Sequence, residues 1–259
     1  MNSYWKWNIK NFPWHYDPKS KKSDLQYVGR FMHKDMEKYV QEAVNKFTPD
    51  DEYDEVSFKG KPFNEEAKQI MEGYHNDLTT AGFNKHNTGG RQTRNLPNFF
   101  QLMAEATGLW NPQIMFLEQP PGKCIPWHRD SYNNYRRNFA KVNDDTEVIR
   151  YLVQLNDWNW GHYVLVGNDV IHQYSIGDIH CWPEGIYHAT GNVGYWSRYC
   201  LTITGCVTPQ ALHLGCSILH LHRFDVRVRH KPLYHVLGCV PRPRHCVQNK
   251  RQVYRHLLM

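Results

Sequence analysis

Between residues 113 and 206 the chain is cut into short β-prone runs, at 113–119, 148–155, 162–166, 170–174, 178–182, 187–192 and 198–205, separated by Gly, Pro, Asn and Asp. Val, Ile, Tyr, Leu and Thr dominate the runs, and the breakers between them are turn formers. Runs this short, following one another at about ten-residue intervals without intervening helical patterns, exclude βαβ units and predict a sandwich or jelly roll. The fold class read here is therefore mainly β with N-terminal helices: a double-stranded β-helix core, jelly-roll or cupin-like, supported by helices. With 41% hydrophobic and 14% aromatic residues, a chain of 259 residues has enough apolar surface for one such domain.

The first 110 residues read differently. Phe31, Met32, Met36, Tyr39, Val40, Ala43, Val44 and Phe47 form one apolar stripe over 31–47. A second helix is predicted over 64–81, with Asn64 as N-cap, Glu65 and Glu66 in its first turn and Gly82 as its stop; a third runs over 97–107 between Pro97 and Gly108. The expected division is a helical support region at 1–110, the double-stranded β-helix core at 111–206 and a basic tail at 207–259.

Charge sharpens that division. The net charge is +6, but residues 207–259 hold nine Lys+Arg against the single acid Asp225, leaving 22 Lys+Arg against 24 Asp+Glu before them. Basic character thus belongs to the tail and does not mark the β core as a nucleic-acid surface. Cys216, His220, His222, Cys239, His245 and Cys246 in that tail match no zinc-finger spacing. Seven Cys at irregular spacings with no CxxC pair fit reduced thiols, and the chain shows neither a signal-peptide pattern nor a long apolar run. The expectation is a soluble cytoplasmic protein with no membrane partner.

His-x-Asp tripeptides recur along the chain, among them His15/Asp17, His75/Asp77 and His128/Asp130. In the helix predicted around His75 and Asp77, positions i and i+2 point to different sides and cannot easily chelate one ion. His15 and Asp17 precede every predicted strand. On an extended segment, by contrast, i and i+2 share a face, so His128 and Asp130 can reach the same ion. His188, beginning a strand after the turn 183–185, is the best candidate for a third ligand. Two imidazoles and one carboxylate leave three positions of an octahedral iron open for an oxo acid and dioxygen. Arg198 then opens the next strand, and a guanidinium inside a β barrel suits a dicarboxylate.

The segments PPGKCIPWHRD, RYLVQL and GDIHCWPEGIYHATGNVGYWSRYCLTITG together resemble the iron(II)/2-oxoglutarate-dependent oxygenase superfamily, and within it the branch of aspartyl/asparaginyl β-hydroxylases and proline hydroxylases. The resemblance covers roughly residues 113–206. It implies metal ligation and catalysis by His128, Asp130 and His188, binding of the 2-oxoglutarate C5 carboxylate by Arg198, and a second arginine near the cosubstrate at Arg150, for which a structural ion pair is the alternative. It also implies Fe(II), 2-oxoglutarate and O2, ascorbate as reductant, and a small-molecule or peptidyl substrate such as an amino acid, hydroxylated with release of succinate and CO2.

Two departures bear on the substrate: Trp127 stands where the branch has Pro, and the stretch 131–149 is longer than expected. Arg136 and Arg137 in that stretch are candidates to meet a substrate carboxylate or phosphate. Two rivals compete. A nucleic-acid or nucleobase demethylating oxygenase carries a second arginine six residues after the cosubstrate arginine, where this chain has Thr204; a non-catalytic metal-binding cupin-like module has no need of Arg198.

Overall fold

The computed structural model describes residues 24–56, 65–212 and 217–220. Two sheets form the body. The larger runs β12-β1-β9-β6-β11-β4-β3-β2, from strands β1 (Gln26–Met32), β2 (Glu52–Tyr53), β3 (Gly90–Thr93), β4 (Trp110–Gln119), β6 (Val148–Gln154), β9 (Asp178–Cys181), β11 (Arg198–Cys206) and β12 (Ser217–His220). The smaller runs β5-β10-β7-β8, from β5 (Cys124–His128), β7 (His162–Val166), β8 (Asp169–Ile171) and β10 (His188–Asn192). Every pairing is antiparallel except β1 with β12. From β4 to β11 the chain passes back and forth between the sheets, so that β4, β11, β6 and β9 stand opposite β5, β10, β7 and β8. This is a double-stranded β-helix, as the spacing of β-prone runs predicts.

Period-two alternation gives the large sheet two different faces. On β11, Leu201 and Ile203 point outward, as do Tyr151 and Val153 on β6, into a core completed by α1 (Met36–Val44) and α3 (Asn98–Ala106). Phe99, Phe100 and Met103 of α3 and Met36, Val40 and Ala43 of α1 are buried there. The intervening residues Arg198, Cys200 and Thr202, with Arg150 and Leu152, face the small sheet and line a cavity. Stability thus comes mainly from the helix-covered face, and the opposite face is free to carry polar chemistry.

Phe116 is the centre of the helix-covered face, fully buried with ring centroids of Phe47, Phe100 and Tyr199 at 5.6, 5.8 and 5.9 Å. Phe116→Ala should destabilise the fold by about 3–5 kcal/mol through lost transfer energy and the void left behind. Chemical denaturation of the purified variant measures this.

The support region is less purely helical than the sequence suggests. Residues 26–32 form β1 against β9, and the first helix starts only at Met36. Phe31 and Met32 happen to fall on the helical stripe, but Phe31 enters the core as a strand residue, with its N–H on the Gly177 carbonyl at 2.9 Å. Strands β2 and β3 also come from the first 110 residues and extend the large sheet beyond β4. The second helix, α2, spans Glu65–Thr80; Asn64, expected to cap it, lies outside the described residues. The last short helix, α4 (Pro209–Leu212), follows β11, and most of the tail is also outside the described residues.

Candidate metal centre

Strands β5 and β10 are neighbours, and their register sets His188 directly opposite His128, with imidazole centroids 4.2 Å apart. Asp130 lies just past β5, where its backbone carbonyl accepts the Gly185 N–H at 3.3 Å and ties this loop to the turn that delivers β10. Its carboxylate Oδ2 is 3.6 Å from His188 Nε2. One potential ligand atom from each of the three residues lies within 4.8 Å of the others, and among the described residues this is the group of His, Cys, Asp and Glu side chains arranged to hold a metal ion.

Both imidazoles are held in the tautomer a metal needs. His128 Nδ1 is 2.8 Å from the Pro126 carbonyl and His188 Nδ1 is 2.9 Å from the Ile186 carbonyl. A carbonyl oxygen only accepts, so each Nδ1 carries the hydrogen and each Nε2 keeps its lone pair for an ion. Burial, reinforced by the neighbouring His128, pushes the His188 pKa down to about 3. For Asp130, burial acts to raise the pKa but is outweighed by Arg150, then His188 and His128, which bring it down to about 2. Near neutral pH His188 is therefore a neutral imidazole and Asp130 a carboxylate, the protonation states that bind a divalent cation.

The two arginines take different places. Arg150 Nη1 donates to Asp130 Oδ2, its Nε donates to Thr204 Oγ1 at 2.9 Å, and its guanidinium lies over the Tyr132 ring at 4.9 Å. It lines the cavity, but its charge is committed to Asp130, the ion-pair alternative read from the sequence. Arg150→Met should weaken Co(II) or Fe(II) binding about 10–100-fold, the usual cost of losing a hydrogen-bonding partner of a metal ligand. Competition against a chelator of known affinity checks this.

Arg198 lies elsewhere on the cavity wall, 3% exposed. Its Nη1 donates to Gln119 Oε1 at 3.3 Å, while Gln119 Nε2 donates to Thr190 Oγ1 at 3.0 Å and so fixes which way that amide points. Arg198 Nε and Nη2 are buried and make no hydrogen bond. These two N–H groups form the side of a guanidinium that grips a carboxylate in two parallel bonds. A buried cation with two N–H groups left without a hydrogen bond is costly.

The cavity joins these groups. His128, Asp130 and His188 share it with Arg150 and Arg198, and Met115, Leu117, Ile125 and Trp182 supply apolar wall. Trp182 is buried, with its ring centroid 4.9 Å from that of His188. The cavity measures about 100 Å³.

Other sequence candidates are placed as follows. Arg136 is committed within the chain: its guanidinium makes a paired bond to Glu184 at 2.8 and 2.6 Å and further bonds to the Ser131 and Thr146 carbonyls. Arg137 pairs with Asp144 at 2.9 Å on the surface. The stretch 131–149 buries Tyr132, Tyr135 and Ala140 against Val148 and Cys206. His75 and Asp77 sit on α2 and join no metal-binding group; His15 and Asp17 lie outside the described residues, as do most of the tail Cys and His. Trp158 packs beneath the small sheet, whereas Trp160 is exposed.

Sequence reasoning missed Gln119, Tyr53 and Glu55. Gln119 carries a signal in hindsight, since it ends β4 opposite Arg198. Tyr53 lines the cavity from the two-residue strand β2, and Glu55 follows it within the acidic run DDEYDE, which carries no motif.

No family model matches the chain, and no curated protein matches it. Solved structures do. AviO1 from Streptomyces viridochromogenes Tue57 is 14% identical at a TM-score of 0.40, over 73% of this chain and 92% of that one. A double-stranded β-helix protein from Klebsiella pneumoniae is 16% identical at a TM-score of 0.27, over 38% and 70%. A cupin domain from Bordetella pertussis is 17% identical at 0.29, over 47% and 97%. These are likenesses of fold, and the reading of the site rests on its own geometry. Fold and site together define a cupin-like double-stranded β-helix with a candidate His-Asp-His metal centre.

Proposed function

We propose that this chain is an Fe(II)- and 2-oxoglutarate-dependent oxygenase that hydroxylates an amino acid, peptidyl residue or similar small polar compound. The observation that carries this reading is the idle fork of Arg198, buried in the same cavity as the three candidate ligands. A cupin-like module that only binds metal gains nothing from a buried, half-paired guanidinium. An enzyme that must hold a dicarboxylate beside its metal does.

His128, Asp130 and His188 would hold Fe(II), and Arg198, steadied by Gln119, would hold the C5 carboxylate of 2-oxoglutarate. Bound together, iron and oxo acid supply oxidising power for a C–H bond by coupling decarboxylation to the reduction of O2, with ascorbate keeping the iron ferrous. The chain's own residues do the placing. Arg150 fixes the Asp130 carboxylate, the Pro126 and Ile186 carbonyls fix the two rings, and Trp182, Met115 and Leu117 keep bulk water from the reacting face.

The position where a demethylating oxygenase has its second arginine is Thr204, whose hydroxyl accepts from Arg150. That occupancy favours the hydroxylase reading over a nucleic-acid one. Among the described residues no helix is long and apolar enough to cross a membrane. The direct test is formation of labelled succinate and CO2 from labelled 2-oxoglutarate under air, Fe(II) and ascorbate. Turnover that stops without iron or O2 supports the reading, whereas retention of metal with no 2-oxoglutarate binding would leave only the metal-binding module.

A further inference from the structure

The two sheets meet along a seam near the metal centre, and the segment 53–55 lies in it. The edge strand β2 pairs with β3, setting Tyr53 opposite Gly90. Just before β3, Thr88 bridges Cys124, the first residue of β5, and the Gly89 N–H donates to the Cys124 carbonyl at 2.9 Å. Gly89 has φ +79°, and a Cβ there would stand 2.0 Å from the Tyr53 carbonyl oxygen and 2.6 Å from Asp54 Cα. Only glycine lets the backbone at 53–54 lie this close to the start of the strand that ends in His128.

This packing sends Tyr53 into the cavity wall, and Glu55 follows two residues later on the same segment. Glu55 is half-buried and close enough to His128, Asp130 and Cys124 to interact electrostatically with each. It makes no hydrogen bond or ion pair among the described residues, in contrast to the other carboxylates nearby. Glu118 accepts from Arg91 at 2.5 Å and Ser197 at 2.7 Å, and Asp130 is matched by Arg150. Once Asp130 is assigned to the metal and Arg198 to the oxo acid, Glu55 is the charge that remains without an opposite.

We infer that Glu55 recognises a cationic group on the substrate, so that the compound oxidised carries an ammonium or guanidinium at the cavity mouth and an aliphatic chain directed inward along Met115, Leu117 and Ile125. This names the substrate class for the site proposed above and rests on that reading. A carboxylate partly withdrawn from water beside an apolar wall favours such a ligand and repels an anionic one.

Binding can be measured apart from turnover. The full chain loaded with Co(II) and 2-oxoglutarate without O2 is titrated calorimetrically with L-lysine, L-arginine, and the Nα-acetyl and Nε-acetyl derivatives of lysine. The expected result is binding of at least one of the two amino acids, weakened about tenfold or more when acetylation removes the ammonium that Glu55 meets, or in the Glu55→Gln variant. Glu55→Asp, which keeps the charge, is expected to stay within a few-fold of the parent and separates loss of charge from disturbed folding. Failure of both lysine and arginine to bind, or equal affinity in parent and Glu55→Gln, overturns the inference. Glu55-dependent binding with no succinate release on Fe(II) and air would uphold the recognition and overturn the oxygenase reading. Succinate release stimulated equally by lysine and by its two acetylated derivatives in both chains would do the reverse.

Discussion

Replacing His188 with alanine is expected to reduce succinate release to background and to weaken metal binding by roughly 100-fold or more, beyond the 10–100-fold typical of losing a ligand's hydrogen-bonding partner. The reason lies in the register. His188 faces His128 across adjacent strands and stands 3.6 Å from Asp130, so removing it takes away the candidate ligand that adjoins both of the others. Metal content after dialysis and succinate release on the same preparation measure the two effects together. Full turnover in His188→Ala would remove the metal centre described here. The fold should survive, because His188 faces the cavity while the main apolar core lies on the far side of the large sheet.

Arg198→Met is the second large effect, and it separates function from stability. Losing both idle N–H groups should weaken 2-oxoglutarate binding by about 100-fold or more, in line with truncation of one partner in a buried charge pair. Stability without ligand should change by less than about 2 kcal/mol. Methionine relieves a buried, half-paired cation but leaves the Gln119 carbonyl without its donor. The two readouts are equilibrium binding of 2-oxoglutarate to the Co(II)-loaded chain and chemical denaturation of the metal-free chain. A variant that binds 2-oxoglutarate like the parent would show that the fork serves something else.

What could be read from the sequence followed from local geometry. His128 and Asp130 were legible because i and i+2 share a face on extended chain, and His188 because the turn before it delivers a new strand. Arg198 was legible from its place at the opening of β11. Whether its fork was idle was not, since that depends on Gln119 from β4 and on the absence of any other partner. The fate of Arg136 was hidden for the same reason: Glu184, 48 positions away, meets it only after the chain has folded. Strand β1 was misread because Phe31 and Met32 satisfy two periods at once. Tyr53 and Glu55 were invisible because a two-residue strand has no pattern, and their position depends on the contact with Gly89.

The alternation along β11 has a consequence for how this barrel is proofread. Arg198, Cys200 and Thr202 face one way, Leu201 and Ile203 the other. If the strand were threaded one residue out of step, a guanidinium would be driven among the phenylalanines of the helix-covered side and leucine would take its place in the cavity wall. Such an isomer is penalised at every position at once. Correct burial of Leu201 and Ile203 and placement of Arg198 in the cavity wall are thus coupled through one register.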